Sequence, residues 1–533
     1  MASVLDGEGT DQLGAAAAAS RKVADRLDTP VLAPLRVLPV VGRQVRAATR
    51  QAAGVADGLE IAQQVGDDLQ ELMPDLGAGA QRVDALRRAA EVAAAGRQEL
   101  LAVDFGPDEA LVGPIASARS EIDDARDQAE DALARAEAVG AGLAQFFEGP
   151  SDYLLLAANN AQMQNGQGMF LSAGLLHVED GSLDLTEMEP TSDLPRPSSR
   201  VPLDPDLEAR WGWLDPNDDF RHLGLSHRFP VTASTAASLW AAAGRPAVDG
   251  VLMVDPFLLR AIMSATGPLA LDDRELTEDA IVTYVLHDQY RGYLTARGDT
   301  SFGELRRDRL EELAEQAVAD LDGLETIEPA LVDRLMGAAR GRHLMAWSAD
   351  QTTQAGWEAA GIDGQIGADS LLLSLVNRSG NKLDWFVRTE ADLEVTEVTG
   401  GHEAVLRITV HNRAPDEGEP AYVVGPYPGS GLAAGEYLGL VTLDLPAGAR
   451  NGRFDGVEEL AVAGADGPNR TIATWVRVGQ GTSTEVVARF ELPPGTDSLR
   501  VEPGARARPT AWATGRLEWE DRQARRIELP TSG

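Results

Sequence analysis

YLLLAANNAQMQNGQGMFLSAGLLHVEDGSLDL, residues 153–185, is the stretch around which the rest of the chain is read. Tyr153 to Ala157 is an apolar run of the length of a buried strand. Asn159-Asn160 breaks that run, and a polar, glycine-containing loop is predicted from Gln162 to Gly168. Met169 to Val178 is a second apolar run, ending at Asp180-Gly181, a hairpin-type turn signal. A buried strand that opens into an Asn/Gln/Gly loop is a common place for a binding site in an α/β sheet.

Toward the N-terminus, residues from about Asp11 to Phe147 read as helices. Ile115, Ala118, Ile122, Ala125, Ala129, Ala132, Ala136 and Val139 recur at alternating steps of three and four, an a/d seam. Two readings of that seam are open: a coiled-coil spacer or dimer contact, and an intramolecular antiparallel bundle. Breaks near Pro74 and Pro107 divide the region into hairpin-sized helices and favour the bundle.

Toward the C-terminus, Thr186 to Pro230 is rich in Pro, Asp and Ser and reads as a long loop. Trp211, Trp213, Phe220 and His222 in it either anchor the loop or stack on sugars. Val251 to Val254 reads as a buried strand, after which Asp255 caps a helix that Gly267-Pro268 ends. Strand and helix alternate again through Tyr290, which implies a layered α/β core. Ser301 and Glu304 form a capping box. The helix they open carries an apolar stripe, Leu310, Leu313, Ala314, Ala317 and Leu321. Stepping back one turn, Arg306 lies on that stripe and Arg309 borders it, whereas Arg307 points elsewhere. Two arginines near a helix N-terminus suit a phosphate; pairing with local carboxylates is the alternative. His343 to Trp347 and Leu371 to Val376 are strand-like and return the chain to the core. From about Trp385 onward the apolar alternation is strand-only, as in Leu406, Ile408 and Val410, and reads as an immunoglobulin-like β-sandwich.

The expected architecture is therefore α+β and multidomain: a helical bundle over 1–147, a layered α/β core over 148–384 and a β-sandwich over 385–533. At 533 residues the chain is too long for one core. A net charge of −37 argues against nonspecific binding to nucleic acid or to an anionic membrane surface. Cysteine is absent, so disulfide and thiolate chemistry are excluded. Lys22 and Lys382 are the only lysines among 47 basic residues. No run of about 18 apolar residues exists; Val31 to Val41 is the nearest and holds two prolines and an arginine. No serine nucleophile elbow, HExxH, Walker loop or dinucleotide fingerprint is present.

The 153–185 stretch resembles the central signature of the domain of unknown function 4012 family, common in actinobacterial envelope proteins. Asn159, Asn160, Ala161 and Gly168 match it, while Gln162 and Gln164 stand where that family has Glu and Arg. NRSGNKLDWFVR, residues 377–388, is similar to a later Lys-Leu-Asp segment of the family through Lys382 and Asp384. A salt bridge between those two is the simplest account of that lysine. The order of core elements further resembles the LytR–CpsA–Psr phosphotransferases. Asp299, Phe302, Gly303, Arg306, Arg307 and Arg309 are similar in type to the late Arg/Asp motif of those enzymes, and Arg228 stands near the place of an earlier arginine.

The resemblances imply an extracytoplasmic, cell-envelope protein whose membrane contact lies in a segment outside this chain. They imply a noncatalytic binder or scaffold for a glycan or lipid-linked glycopolymer. The alternative they carry is a divergent Mg-dependent phosphotransferase that attaches glycopolymer to the cell wall. Magnesium is implied only by that alternative; no metal ligands and no catalytic residues are assigned. The candidate ligand-binding residues are Asn159, Asn160, Gln164, Arg228, Asp299, Arg306, Arg309 and Lys382. The loop 159–168, the start of the Ser301 helix and Arg228 are expected to converge on one cleft at the sheet edge. Asn159 and Asn160 are expected to hold that loop by hydrogen bonds to backbone. Ligand identity and oligomeric state stay open.

Overall fold

Strong helix formers, above all Ala, Leu, Arg and Gln, fill the first quarter of the chain. A computed structural model describes residues 7–29, 40–77, 79–186, 188–197, 199–293, 301–427 and 429–530. In it these residues form α1 (Gly7–Leu27), α2 (Val41–Leu72), α3 (Gly79–Ala102) and α4 (Pro114–Glu148). α1 packs on α2 and α3 runs along α4, with Arg97 and Glu137 paired across them at 3.1 Å. None of the eight seam residues of α4 is buried; its buried positions are Gly140, Gly142, Ala144 and Phe146, near its C-terminal end. Most of the Val31–Val41 run lies outside the described residues. No described helix is long and apolar enough to cross a membrane.

The central stretch folds as a long hairpin. β1 (Ser151–Gln164) and β2 (Gln167–Glu179) pair antiparallel from Ser151↔Val178 to Gln164↔Gln167. The first strand does not end at Asn159-Asn160, and the expected loop shrinks to Asn165-Gly166, where Gly166 adopts a φ of 77°. Irregularities after Ala157 and Asn159 absorb the polar residues. Propensity argues against such a strand, but the Asn and Gln side chains find buried partners elsewhere in the fold, and tertiary satisfaction overrides local preference.

β3 (Ser182–Leu185) and β4 (Glu189–Pro190) follow on the outer side. The expected loop 186–230 contains α5 (Pro205–Trp211), capped by Asp204. Then come α6 (Phe229–Ala242), β5 (Gly250–Val254), α7 (Pro256–Thr266) and the small hairpin β6 (Leu269–Leu271) and β7 (Arg274–Leu276). α8 (Glu278–Leu286), α9 (Ser301–Asp322), α10 (Pro329–Arg340), β8 (Leu344–Ser348) and α11 (Gln351–Ala360) complete the region. The sheet order is β3-β2-β1-β5-β8, with β4 on β2; β1 and β5 are parallel. Side chains alternate across it. Leu154, Leu156, Val251 and Met253 meet Phe229, Ala233 and Trp240 of α6 on one face. Tyr153, Leu155, Leu252 and Ala346 meet Phe146 of α4 and Trp357 of α11 on the other.

α4 is the joint between the helical region and this sheet. Phe146 packs edge-on against Tyr153 and Trp357, with ring centres 4.9 and 5.3 Å away. Gly142 and Gly356 face each other so closely that a Cβ on Gly356 would lie 2.8 Å from the Cα of Gly142. Neither backbone can yield without moving a whole helix. Gly356→Val is expected to lower stability by about 1–3 kcal/mol, read as a fall in the urea midpoint. An unchanged midpoint would show that α4 is not seated on α11.

The remaining strands form two six-stranded sheets. Their members are β9 (Ser370–Asn377), β10 (Val387–Val398), β11 (Gly401–Asn412), β12 (Tyr437–Leu445), β13 (Arg450–Phe454), β14 (Val462–Asp466) and β15 (Asn469–Val478). β16 (Ser483–Leu492), β17 (Ser498–Glu502), β18 (Ala511–Thr514), β19 (Leu517–Glu520) and β20 (Arg525–Glu528) follow. One sheet has the order β13-β16-β11-β10-β18-β19, the other β14-β15-β12-β9-β17-β20. Both contribute to one apolar core. β9, expected to belong to the central α/β sheet, is instead a central strand of the second of these. All its residues are buried: Leu371, Leu373 and Leu375 enter the core the two sheets share, while Val376 meets Leu207 and Trp211 from α5. A strand covered on both faces carries no alternation to say which sheet owns it.

Candidate functional site

A cleft of about 730 Å³ opens on the α9 face of the central sheet. Leu155 and Ala157 of β1, Met169 and Leu171 of β2 and Val254 of β5 form its floor. Leu258 and Ile262 of α7 and Leu310, Leu313, Ala314, Ala317 and Val318 of α9 form its walls. The α9 stripe is only partly covered. Leu313 and Ala317 are buried, but Leu310, Ala314 and Val318 remain half-exposed because they face the opening. From Arg306 to Val318 this wall runs about 18 Å at 1.5 Å per residue.

One end of the cleft is cationic. Arg306, Arg307, Arg378 and Lys382 line it together with Tyr293, Tyr422 and Tyr427. Arg306 reaches Gln289 Oε1 at 3.3 Å and lies over the Tyr290 ring, 5.5 Å from its centre. Its Nε is buried with no hydrogen-bond partner. Lys382 Nζ donates to Gln162 Oε1 and stands 5.6 Å from the same ring. Tyr290, fully buried, accepts from Asn159 at 2.9 Å, and Tyr293 stacks on Tyr422 with centres 4.6 Å apart. Among the described residues, none of these four cations has a carboxylate within ion-pair distance. Burial, reinforced by repulsion from Arg306, pulls the Lys382 amine well below the usual lysine range, against the attraction of Asp384. Burial likewise lowers the Arg378 guanidinium. The acids of the lining are Asp255 and Glu311. Asp255 is engaged already, capping α7 and accepting from Asn160 at 2.8 Å and His343 at 2.6 Å.

The residues singled out from sequence divide around this cleft. Arg306, Lys382 and Asn159 line it. Lys382 does not pair with Asp384; that carboxylate sits instead 3.8 Å from Arg506 and accepts from Asn377 and from the Met163 amide. Asn159 accepts from the Ala161 amide at 3.0 Å, and Asn160 donates to the Ala505 carbonyl at 2.8 Å, so both hold the strand in place. Gln164 is fully buried behind the cleft and donates to the Arg221 carbonyl. Arg309 turns away and pairs with Asp272 at 2.5 Å. Arg228 also lies elsewhere, bound to Asp466 at 2.6 Å and Asp204 at 3.1 Å. The expected convergence of Arg228 and Arg309 on the site is thus corrected. In so acidic a chain, carboxylates reach those two arginines first. Asp299 and the Ser301 cap lie outside the described residues. Arg307 was expected to point away, yet it joins the lining because Arg307, Glu311, Ala314 and Val318 form a second helical ridge beside the first. Arg378 directly follows β9, Tyr422 and Tyr427 come from the β11–β12 connection, and no local spacing announces them.

A second charged group joins the central region to the C-terminal sheets. His227 Nδ1 lies 3.1 Å from Asp444 and 3.2 Å from Asp466, with all three side chains fully buried. Arg210 approaches Asp466 at 2.9 Å, and Thr471 and Asn165 donate to Asp444 at 2.5 and 3.1 Å. Among the described residues these three are spaced for a metal ion. Arg210 and Arg228 already neutralise Asp466, and Thr471 and Asn165 hold Asp444, so the group serves as an internal ion network. None of the three lines the cleft.

Comparison with known proteins adds one match. Residues 148–290 match the family described as Protein of unknown function (DUF4012). The span runs from the end of α4 through β1, β2, β5 and α8, and so covers the floor and one wall of the cleft. No curated protein and no solved structure matches the chain.

Proposed function

We propose that the cleft binds a lipid-linked anionic carrier and that the protein is a noncatalytic binder of lipid-linked glycopolymer in the cell envelope. The observation that carries this reading is the pairing of a half-covered apolar groove with four basic side chains at one end that, among the described residues, have no carboxylate at ion-pair distance. In a chain of net charge −37, cations left unpaired in a partly buried cleft call for an anion from outside. The groove supplies apolar area for a hydrocarbon chain, at roughly 25 cal/mol per Å² buried. Tyr293, Tyr422 and Tyr427 offer faces against which a sugar next to the phosphate can lie. An extracytoplasmic location is what the resemblances read from the sequence imply. The C-terminal sheets, read as an immunoglobulin-like sandwich, would act as a spacer or adhesion module.

The phosphotransferase alternative is the weaker one on this arrangement. Arg228 and Arg309, which it required, are held in ion pairs outside the cleft. The carboxylates spaced for a metal lie away from the four cations. Titration with farnesyl phosphate, a long polyprenyl phosphate and inorganic phosphate tests the reading. Affinity is expected to rise with chain length by at least about 100-fold from inorganic phosphate to the long lipid, with no release of phosphate. Equal affinity for all three would remove the lipid from the proposal. Turnover of a polyprenyl-pyrophosphate sugar with Mg²⁺ would restore the enzyme.

A further inference from the structure

The start of β10 and the segment between β17 and β18 bring a second set of arginines together. Arg388 Nη1 donates to the carbonyls of Trp385 and Val387 at 3.1 and 3.4 Å. Arg506 Nη2 donates to the same Val387 carbonyl at 3.3 Å, and its Nε to the Arg508 carbonyl at 3.4 Å. The Arg508 guanidinium lies over the Trp385 ring, 4.3 Å from its centre. Arg413, an exposed residue, is tied in through its amide, which donates to the Phe386 carbonyl at 3.2 Å. Burial first, then repulsion from Arg508, Arg506 and Arg413, pulls the Arg388 pKa down to about 10.

Acidic compensation is sparse here. Among the described residues, the four arginines share one carboxylate at ion-pair distance, Asp384, 3.8 Å from Arg506 Nη1. Glu390, next but one to Arg388, pairs with His411 at 3.3 Å. Arg506 Nη1 and Arg508 Nε are buried donors with no hydrogen-bond partner, and the Arg506 side chain is 2% exposed. Arg508 Nε has no hydrogen-bond partner, and Arg506 Nη1 faces Asp384 without a hydrogen bond to it; four like charges sharing one carboxylate, with guanidinium donors left unused, suit an oxyanion.

We infer that Arg388, Arg413, Arg506 and Arg508 form a second oxyanion site that takes a phosphate group. None of the four lines the cleft, so this inference stands whether or not the cleft holds a lipid. The phosphate could arrive free or as a phosphodiester of a glycan polymer, and the two sources are separable.

The test starts from the Arg306→Gln, Arg307→Gln protein, whose cleft has lost two of its cations. It is titrated calorimetrically with inorganic pyrophosphate and with a short poly(glycerol phosphate). Binding is expected to persist and to weaken at least about 10-fold when Arg388→Gln and Arg508→Gln are added. Tighter binding of the polymer than of pyrophosphate assigns the phosphodiester source, and the reverse assigns free phosphate. Because Arg388 and Arg508 are partly buried, Arg413→Glu supplies a test on an exposed residue, with a similar loss expected and an unchanged unfolding midpoint. The inference is overturned if the starting protein binds neither probe, or if its binding survives both sets of substitutions.

Discussion

Arg306→Gln together with Arg307→Gln is expected to bind a long polyprenyl phosphate at least about 100-fold more weakly than the parent chain. Each arginine offers a charge-assisted hydrogen bond to the phosphate, worth roughly 1.5–3 kcal/mol in a partly desolvated site. Two such bonds correspond to a factor of about 10² to 10⁴ in affinity. Stability is expected to hold. Arg306 contacts Gln289 and Tyr290, both neutral, and removing a half-buried cation without a carboxylate releases repulsion on Lys382. Thermal unfolding should therefore stay level or rise. Arg309→Gln is the control: it breaks the exposed pair with Asp272 and leaves lipid affinity untouched. A double variant that unfolds several degrees lower with unaltered affinity would make the two arginines structural and sink the binding site.

Asp466→Ala is expected to cost about 3–5 kcal/mol of stability, the largest effect of any single substitution considered. Asp466 is fully buried, accepts from Arg228 and Ser226 and lies 2.9 Å from Arg210, with His227 beside it. Truncation leaves the buried Arg210 guanidinium without a carboxylate at ion-pair distance among the described residues, while Arg228 keeps Asp204 and Asp206, and an uncompensated buried charge is more costly than a missing contact. The network joins α5 and the start of α6 to β12, β14 and β15, so the loss should appear as one cooperative transition moving to lower urea. Asp204→Ala touches the same Arg228 from a side chain that is 29% exposed and should cost about 1 kcal/mol or less. If Asp466→Ala shifts the midpoint no further than Asp204→Ala, the network does not hold the two regions together.

Local pattern reaches a definite depth in this protein. The helices of the first region, the strand at 251–254, the Asp255 cap and the alternating strands after Trp385 follow from spacing and capping chemistry, which act over a few residues and leave their mark in order along the chain. Arg306 on an apolar stripe was legible for the same reason. The extent of β1 was not. NNAQMQ is a poor strand by propensity, and it stays extended because Asn160 meets Asp255, Asn165 meets Asp444 and Lys382 meets Gln162, partners 95 to 279 positions away for the two asparagines. β9 reads equally well in either sheet, since both its faces are buried.

The site shows the same division. The sequence by itself determined an acidic chain whose rare lysine stands at position 382 and whose 306–318 helix carries arginine above an apolar stripe. Only the tertiary structure decided which arginines are free. Arg228 and Arg309 meet carboxylates through space and are neutralised, whereas Arg307 and Arg378 have none at ion-pair distance among the described residues and line the cleft with Lys382. Charge compensation is a matter of distance in three dimensions, falling within a few ångströms of a partner that no periodicity along the chain can locate.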